Sequence, residues 1–208
     1  MIREISKNQV LDNEMPRRLY FELFKPLVKE REIRRAVVLM GPRRVGKTVM
    51  LYHMVQELIE NGVNPKKIIF ITIENPIYNN ISLEQLFNYS KEATGLTDKS
   101  DWHIIYDEIQ YCREWEVHLK SLVDSYRKDK FIVSGSAAAA LKFASNESGA
   151  GRFTDFLLPP LTFNEYISLK GLDSVIKPIQ LNWNDKQTEF YSTSHLDELN
   201  RHFLDYIN

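Results

Sequence analysis

Gly41-Pro42-Arg43-Arg44-Val45-Gly46-Lys47-Thr48 sets two glycines ahead of a lysine and a hydroxyl, the G-x-x-x-x-G-K-[ST] spacing of a phosphate-binding loop. Such a loop turns successive backbone N–H groups inward as an anion nest, and a helix that starts at Lys47, with Thr48 and Val49 in its first turn, adds its positive end. Lys47 would reach the β and γ phosphates of ATP, and the Thr48 hydroxyl would ligate Mg²⁺. The loop needs a second strand that ends in a carboxylate. Ile104-Ile105-Tyr106-Asp107-Glu108 supplies one: Asp107 would hold Mg²⁺ through water, and Glu108 would orient and deprotonate an attacking water. The bland reading of that pair, a solvated acidic turn, loses ground because a phosphate loop lies upstream.

Two further groups carry two readings each. Ser134-Gly135-Ser136 follows an apolar run, so a hydroxyl there either senses the γ-phosphate and helps to place the water or caps a following helix. Arg152, in Gly149-Ala150-Gly151-Arg152, is either an arginine finger acting in cis or on a neighbouring subunit, or an exposed loop arginine. Arg43 and Arg44 touch phosphate or a neighbour, or face solvent. Arg31, Arg34 and Arg35 read as a solvated run; with Arg43 and Arg44 they would line a basic surface near the nucleotide. A helix holding Arg17, Arg18 and Tyr20 is placed near the base.

The elements that must position these groups follow from periodicity. Leu19, Tyr20, Leu23, Phe24, Leu27 and Val28 mark an amphipathic helix with a kink or break at Pro26. Ala36 to Met40 is an unbroken apolar strand, and Met50, Leu51, Met54, Val55, Leu58 and Ile59 recur with helical period up to Asn61-Gly62. Further strands are expected at Ile68–Ile73, Trp102–Tyr106, Phe131–Val133 and Phe153–Leu158. Helices are expected after the Ser82/Gln85 capping box, along Trp115, Leu119, Leu122 and Tyr126, after the Thr162/Glu165 capping box, and from Ser194 to Ile207. Residues 172–193 show no firm period. Alternating strands and helices argue an α/β fold whose parallel sheet is covered on both faces.

Composition bounds the rest. The 208 residues are 43% hydrophobic and 26% charged, which places the chain among globular proteins and excludes disorder. With 27 Lys+Arg against 28 Asp+Glu there is no global basic field, so nucleic acid would need a local patch. The lone Cys112 makes no internal disulfide, and no metal-ligand Cys/His spacing occurs. The polar start is no signal peptide and no apolar run reaches a membrane span, so the sequence predicts a cytoplasmic protein with no membrane partner.

GPRRVGKT, then DEIQ with Trp115, Leu119-Lys120 and Leu122, then IVSGSAAAALK, GAGRF and LLPPLTFNEY, in that order from Pro16 to Tyr166, resemble a bacterial and archaeal family of AAA-type ATPases. The resemblance implies a P-loop NTPase of the additional-strand kind, a three-layer αβα sandwich on a mostly parallel five-stranded sheet, with the sensor strand between the P-loop strand and the carboxylate strand. It implies ATP and Mg²⁺ as ligands, and a C-terminal domain of uncharacterised function beyond the nucleotide domain. On that basis residues 1–171 are the ATPase domain and 172–208 a tail that resembles the start of a second domain, so the chain is expected to be a fragment. Where relatives carry polar residues after Gly-Ser, this chain has Ala137 to Ala140, which leaves Ser134 and Ser136 as sensors.

The function so implied is Mg²⁺-dependent ATP hydrolysis coupled to movement of a partner domain or subunit, within a homo-oligomer or with a partner protein. A regulatory nucleotide switch or scaffold with negligible hydrolysis is the alternative. A P-loop kinase ranks lower, because Glu108 beside Asp107 favours water and no arginine-rich lid is evident.

Overall fold

Five strands form: β1 (Ala36–Gly41), β3 (His103–Asp107) and β4 (Lys130–Ser136) are buried on both faces, while β2 (Ile68–Thr72) and β5 (Phe153–Leu157), at the sheet's edges, are buried only in part. In the computed structural model, which describes residues 17–78, 80–96, 101–136, 151–183 and 186–207, they form one sheet of order β2-β3-β4-β1-β5. Every pairing is parallel. The register sets Gly41 beside Ser136 and Tyr106 beside Val133, so β4 lies between the loop strand and the carboxylate strand. Ala137–Ala140, Gly149 and Ala150 lie outside the described residues.

The sheet's two faces sort by residue parity. Val38, Met40, Ile104, Tyr106, Phe131 and Val133 pack against Leu83, Leu86 and Phe87 of α3 (Leu83–Thr94) and Trp115, Leu119 and Leu122 of α4 (Trp115–Ser125). Val37, Leu39, Ile105 and Ile132 face Phe21, Phe24 and Val28 of α1 (Phe21–Lys29) and Met50, Leu51, Met54 and Leu58 of α2 (Lys47–Glu60). This is the expected three-layer αβα sandwich. The helix α1 runs through Pro26 instead of breaking there. Proline removes one N–H, but Glu30 N–H still reaches Pro26 O at 3.0 Å, and burial of Phe21, Phe24 and Val28 outweighs the missing bond.

The chain divides into two compact units, residues 1–160 and 161–208. In the second, the Thr162/Glu165 capping box opens α5 (Phe163–Leu169), and α6 spans Leu196–Ile207. Their aromatic rings meet: Phe163 lies 5.2 Å from Phe203 and 5.5 Å from Tyr206, whose hydroxyl donates to Leu161 O at 2.6 Å. Residues 172–193, where the sequence shows no firm period, contain an antiparallel hairpin, β6 (Lys177–Trp183) with β7 (Lys186–Ser192). Ile179, Leu181, Phe190 and Tyr191 are exposed among equally exposed polar neighbours, which is why no buried period marks these strands.

Candidate active site

Parallel strands bring their carboxyl ends to one edge, and that edge gathers the loop after β1, Asp107 at the end of β3 and Ser134 to Ser136 at the end of β4. Within the loop, Arg44 has φ 65° and Gly46 φ 90°, left-handed conformations that turn the intervening N–H groups to one side. Gly46 then caps α2 without a side chain, leaving the first-turn N–H groups open to an anion. Gly41 has no room for a Cβ: Leu158 O would lie 2.4 Å away.

Lys47 is 5% exposed and its ammonium donates to Gly41 O at 3.1 Å and Pro42 O at 2.8 Å. Burial pushes its pKa below the ordinary lysine value, Glu108 and Asp107 oppose the shift and Arg43 adds to it. A phosphate oxygen arriving in the loop would compete with those two carbonyls for the same donors. Arg43 and Arg44 are exposed, whereas Pro42, Val45, Thr48 and Val49 are half-buried.

Asp107, 2% exposed, is the hub of the site. Its Oδ2 accepts the Thr48 hydroxyl at 2.8 Å, its Oδ1 accepts the Ser134 hydroxyl, and Ser134 Oγ accepts the Glu108 N–H at 3.1 Å. The hydroxyl of fully buried Ser134 is thus committed to the two acidic residues. Burial raises the Asp107 carboxyl above its usual range; hydrogen bonds from Ser134 and Thr48 oppose this, and the Glu108 charge adds to it. Thr48 Oγ1 and Asp107 Oδ2 are hard oxygen donors side by side, which fits Mg²⁺. Among the described residues no group of three or more His, Cys, Asp or Glu gathers, so such an ion would take its remaining ligands from phosphate and water. Glu108 is half-buried with φ 58°, at the start of the 3-10 turn Ile109–Tyr111.

Two residues that touch these groups carry no role in the sequence reading. Gln110 donates to the Glu108 carboxylate through its amide N–H and accepts the Ser136 N–H at 3.1 Å. Its position two residues past Glu108 in DEIQ was the available signal. Arg18, whose helix the sequence places near the base, donates to Val45 O at 2.9 Å and Pro159 O at 3.0 Å, strapping the loop to the chain after β5. Arg17 pairs with Glu57 at 2.9 Å.

The arginines expected around the nucleotide are not brought together. Arg31, Arg34 and Arg35 precede β1 and lie at the opposite, amino edge, where Arg127, Lys128 and Lys130 join them around a shallow depression. Arg152 stands at that edge too, its carbonyl accepting Ala36 N–H and its Nε 2.9 Å from both Asp124 oxygens. Five strand steps of β1, about 17 Å, separate it from its own loop, so the cis finger is not available in this arrangement.

A parallel five-stranded sheet with β4 inserted between β1 and β3, a phosphate loop after β1 and carboxylates after β3 defines a P-loop NTPase of the additional-strand, AAA-like type. The family model described as "AAA domain" matches residues 33–167, and the chain belongs to that family. It is 28% identical over 182 residues to the uncharacterized protein MJ1637 of Methanocaldococcus jannaschii, covering 83% of this chain and 37% of that protein. An uncharacterized Haemophilus influenzae protein is 26% identical over 137 residues, 66% of this chain and 34% of its own length. The chain therefore spans about a third of these relatives. Among solved structures, the fold is similar to S. cerevisiae Hsp104 in its extended casein complex, with TM-score 0.56, 13% identity, and coverage of 82% of this chain and 32% of that one. It is also similar to Aeropyrum pernix ORC1 in complex with DNA, with TM-score 0.50, 10% identity, and coverage of 78% and 50%. AAA membership supports nucleotide binding. No described helix is long and apolar enough to cross a membrane.

Proposed function

We propose that the protein binds ATP with Mg²⁺ and hydrolyses the β–γ bond, with turnover coupled to movement of a partner domain or subunit. The observation that carries this reading is the joining of the loop hydroxyl, the strand-end carboxylate and the sensor-strand hydroxyl through Thr48–Asp107–Ser134, with Glu108 next in sequence. In it, Gly41 to Val49 cradle the phosphates, Lys47 neutralises them, and Thr48 and Asp107 hold the cation, which withdraws charge from the phosphate oxygens. Glu108 accepts a proton from the attacking water as the new P–O bond forms and the bridging oxygen leaves with ADP. Ser134 supports the carboxylates from β4. Lys47→Ala is expected to abolish binding of a fluorescent ATP analogue, and Glu108→Gln to bind it and release phosphate only at a small residual rate. Full turnover by Glu108→Gln would remove that residue from the mechanism.

A switch or scaffold with negligible hydrolysis is the second reading, favoured by the place of Arg152 at the far edge, paired with Asp124 and away from its own loop. Phosphate release by the wild-type protein separates the two. For partners, the position of Arg152 at the far edge supports a role on a neighbouring subunit of a homo-oligomer; activity restored by mixing inactive Lys47→Ala with inactive Arg152→Ala would establish it. Nucleic acid is supported by the basic depression alone: salt-dependent duplex binding that is lost in Arg34→Ala, Arg127→Ala and Lys128→Ala together would establish it there, and wild-type protein that binds no duplex at low salt would dismiss it.

A further inference from the structure

Gln110 links two strand ends that the proposed reaction uses separately. It sits in the turn after β3, while Ser136 is the last residue of β4, and its amide touches a group from each. Chemistry fixes the amide's orientation. The oxygen faces the Ser136 N–H and the nitrogen faces the Glu108 carboxylate; the flipped amide would set donor against donor and acceptor against acceptor.

The surroundings hold the side chain in this place. A Cβ on Gly135 would come within 3.3 Å of Gln110 Oε1 and of Ile109 Cγ2, and 3.0 Å of Met40 Sδ, so glycine at 135 leaves the space the amide occupies. Glu108 itself stands in a left-handed conformation, φ 58° and ψ 50°, disfavoured for a residue with a Cβ and suited to aiming one side chain. A glutamate at a strand end otherwise has three free side-chain torsions, and a single donor that is itself anchored removes much of that freedom.

We infer that Gln110 is a positioning residue, fixing the Glu108 carboxylate and making its placement depend on where the end of β4 lies. The inference rests on the reading of Glu108 as the group that activates water. Movement of Ser136 away from the turn would release the amide oxygen, and the freed amide would no longer present its N–H to Glu108. Water activation is thereby conditional on the same strand that carries the Ser134 hydroxyl.

Two variants of the full chain test this. Gln110→Ala removes both contacts; Gln110→Glu, nearly isosteric, keeps an acceptor for Ser136 but loses the donor and sets a second carboxylate against Glu108. Both are expected to lower kcat by roughly 10–100-fold, as loss of an orienting partner does, with affinity for a fluorescent ATP analogue changed less than about 2-fold. In a Glu108→Gln background, Gln110→Ala should alter the residual rate by less than about 2-fold, because it acts through the missing carboxylate. Without nucleotide, hydrogen exchange at the Ser136 amide should quicken about 5–10-fold in Gln110→Ala and stay near wild type in Gln110→Glu. Wild-type kcat in Gln110→Ala beside an inactive Glu108→Gln overturns the role of Gln110 alone, as does an additive loss in the double variant or unchanged Ser136 exchange. Full turnover by Glu108→Gln overturns the water-activation reading itself.

Discussion

Gly41→Ala perturbs the cradle without touching a charged group, and its cost follows from the packing at the end of β1. The added Cβ would lie 2.4 Å from Leu158 O, 3.2 Å from Val45 Cγ2 and 3.4 Å from Leu158 C, so its contact with the oxygen is about 1 Å short of van der Waals separation. Neither backbone yields easily. Leu158 is fully buried and its N–H is bonded to Met40 O at 2.7 Å, while Arg18 holds the next carbonyl, Pro159 O, and the loop's Val45 O. Overpacking of this kind costs about 1–3 kcal/mol. At roughly 2–4 °C per kcal/mol for a chain of this size, the nucleotide-free protein should melt roughly 2–12 °C lower by calorimetry. Because Gly41 O also accepts the Lys47 ammonium, affinity for an ATP analogue should fall at least about 10-fold, the consequence of a misplaced cradle. Gly62→Ala is the control: φ is 85° with nothing within 4 Å of the new Cβ, so it costs only left-handed strain, about 1–2 kcal/mol, and leaves affinity unchanged. A Gly41→Ala protein that melts within about 1 °C of wild type and binds nucleotide normally would refute the picture of a loop pinned between β1 and Leu158.

Two further outcomes depend on buried titratable groups. The folded-state pKa of Asp107 is raised, so its ionisation favours the unfolded chain as pH rises above the unfolded value; Asp107→Asn should therefore raise the melting temperature without nucleotide while abolishing the Mg²⁺ dependence of ATP binding, and a lower melting temperature would contradict it. His103, buried at the start of β3 beneath the Arg31 guanidinium, has its pKa lowered to about 3, first by burial and then by Arg31 and Lys130. The folded state then binds fewer protons than the unfolded one below pH 6.5, and stability should fall by about 2 kcal/mol from pH 6.5 to pH 5, relative to His103→Phe, in urea unfolding.

The centre of the sheet was readable from the sequence because its strands are buried on both faces, so runs such as Ala36–Met40 and His103–Tyr106 need no partner to be recognised. Helix starts were readable where a side chain does the capping, as at Ser82 and Thr162. Contacts that depend on strand order were not. Gln110 meets Ser136 only because β3 and β4 are neighbours, and Arg18 meets Val45 only because the loop folds back over the chain after β5. The arginines misled for the same reason: Arg35 and Arg43 are close in sequence, but an intervening extended strand carries them to opposite edges. In the second unit the hairpin escaped because both strands expose apolar and polar residues alike.

The placement of Arg152 limits how copies of this chain can assemble if that residue serves a neighbour. Its edge and the phosphate-loop edge lie at opposite ends of the strands, so two kinds of contact can join one copy's Arg152 to another copy's loop. In a twofold dimer the copies would lie antiparallel, side by side, each Arg152 reaching the other's loop and every site being satisfied by two chains. The alternative is head to tail, which closes into a ring when the rotation between copies permits and otherwise grows as a helical filament with one unsatisfied site at its end.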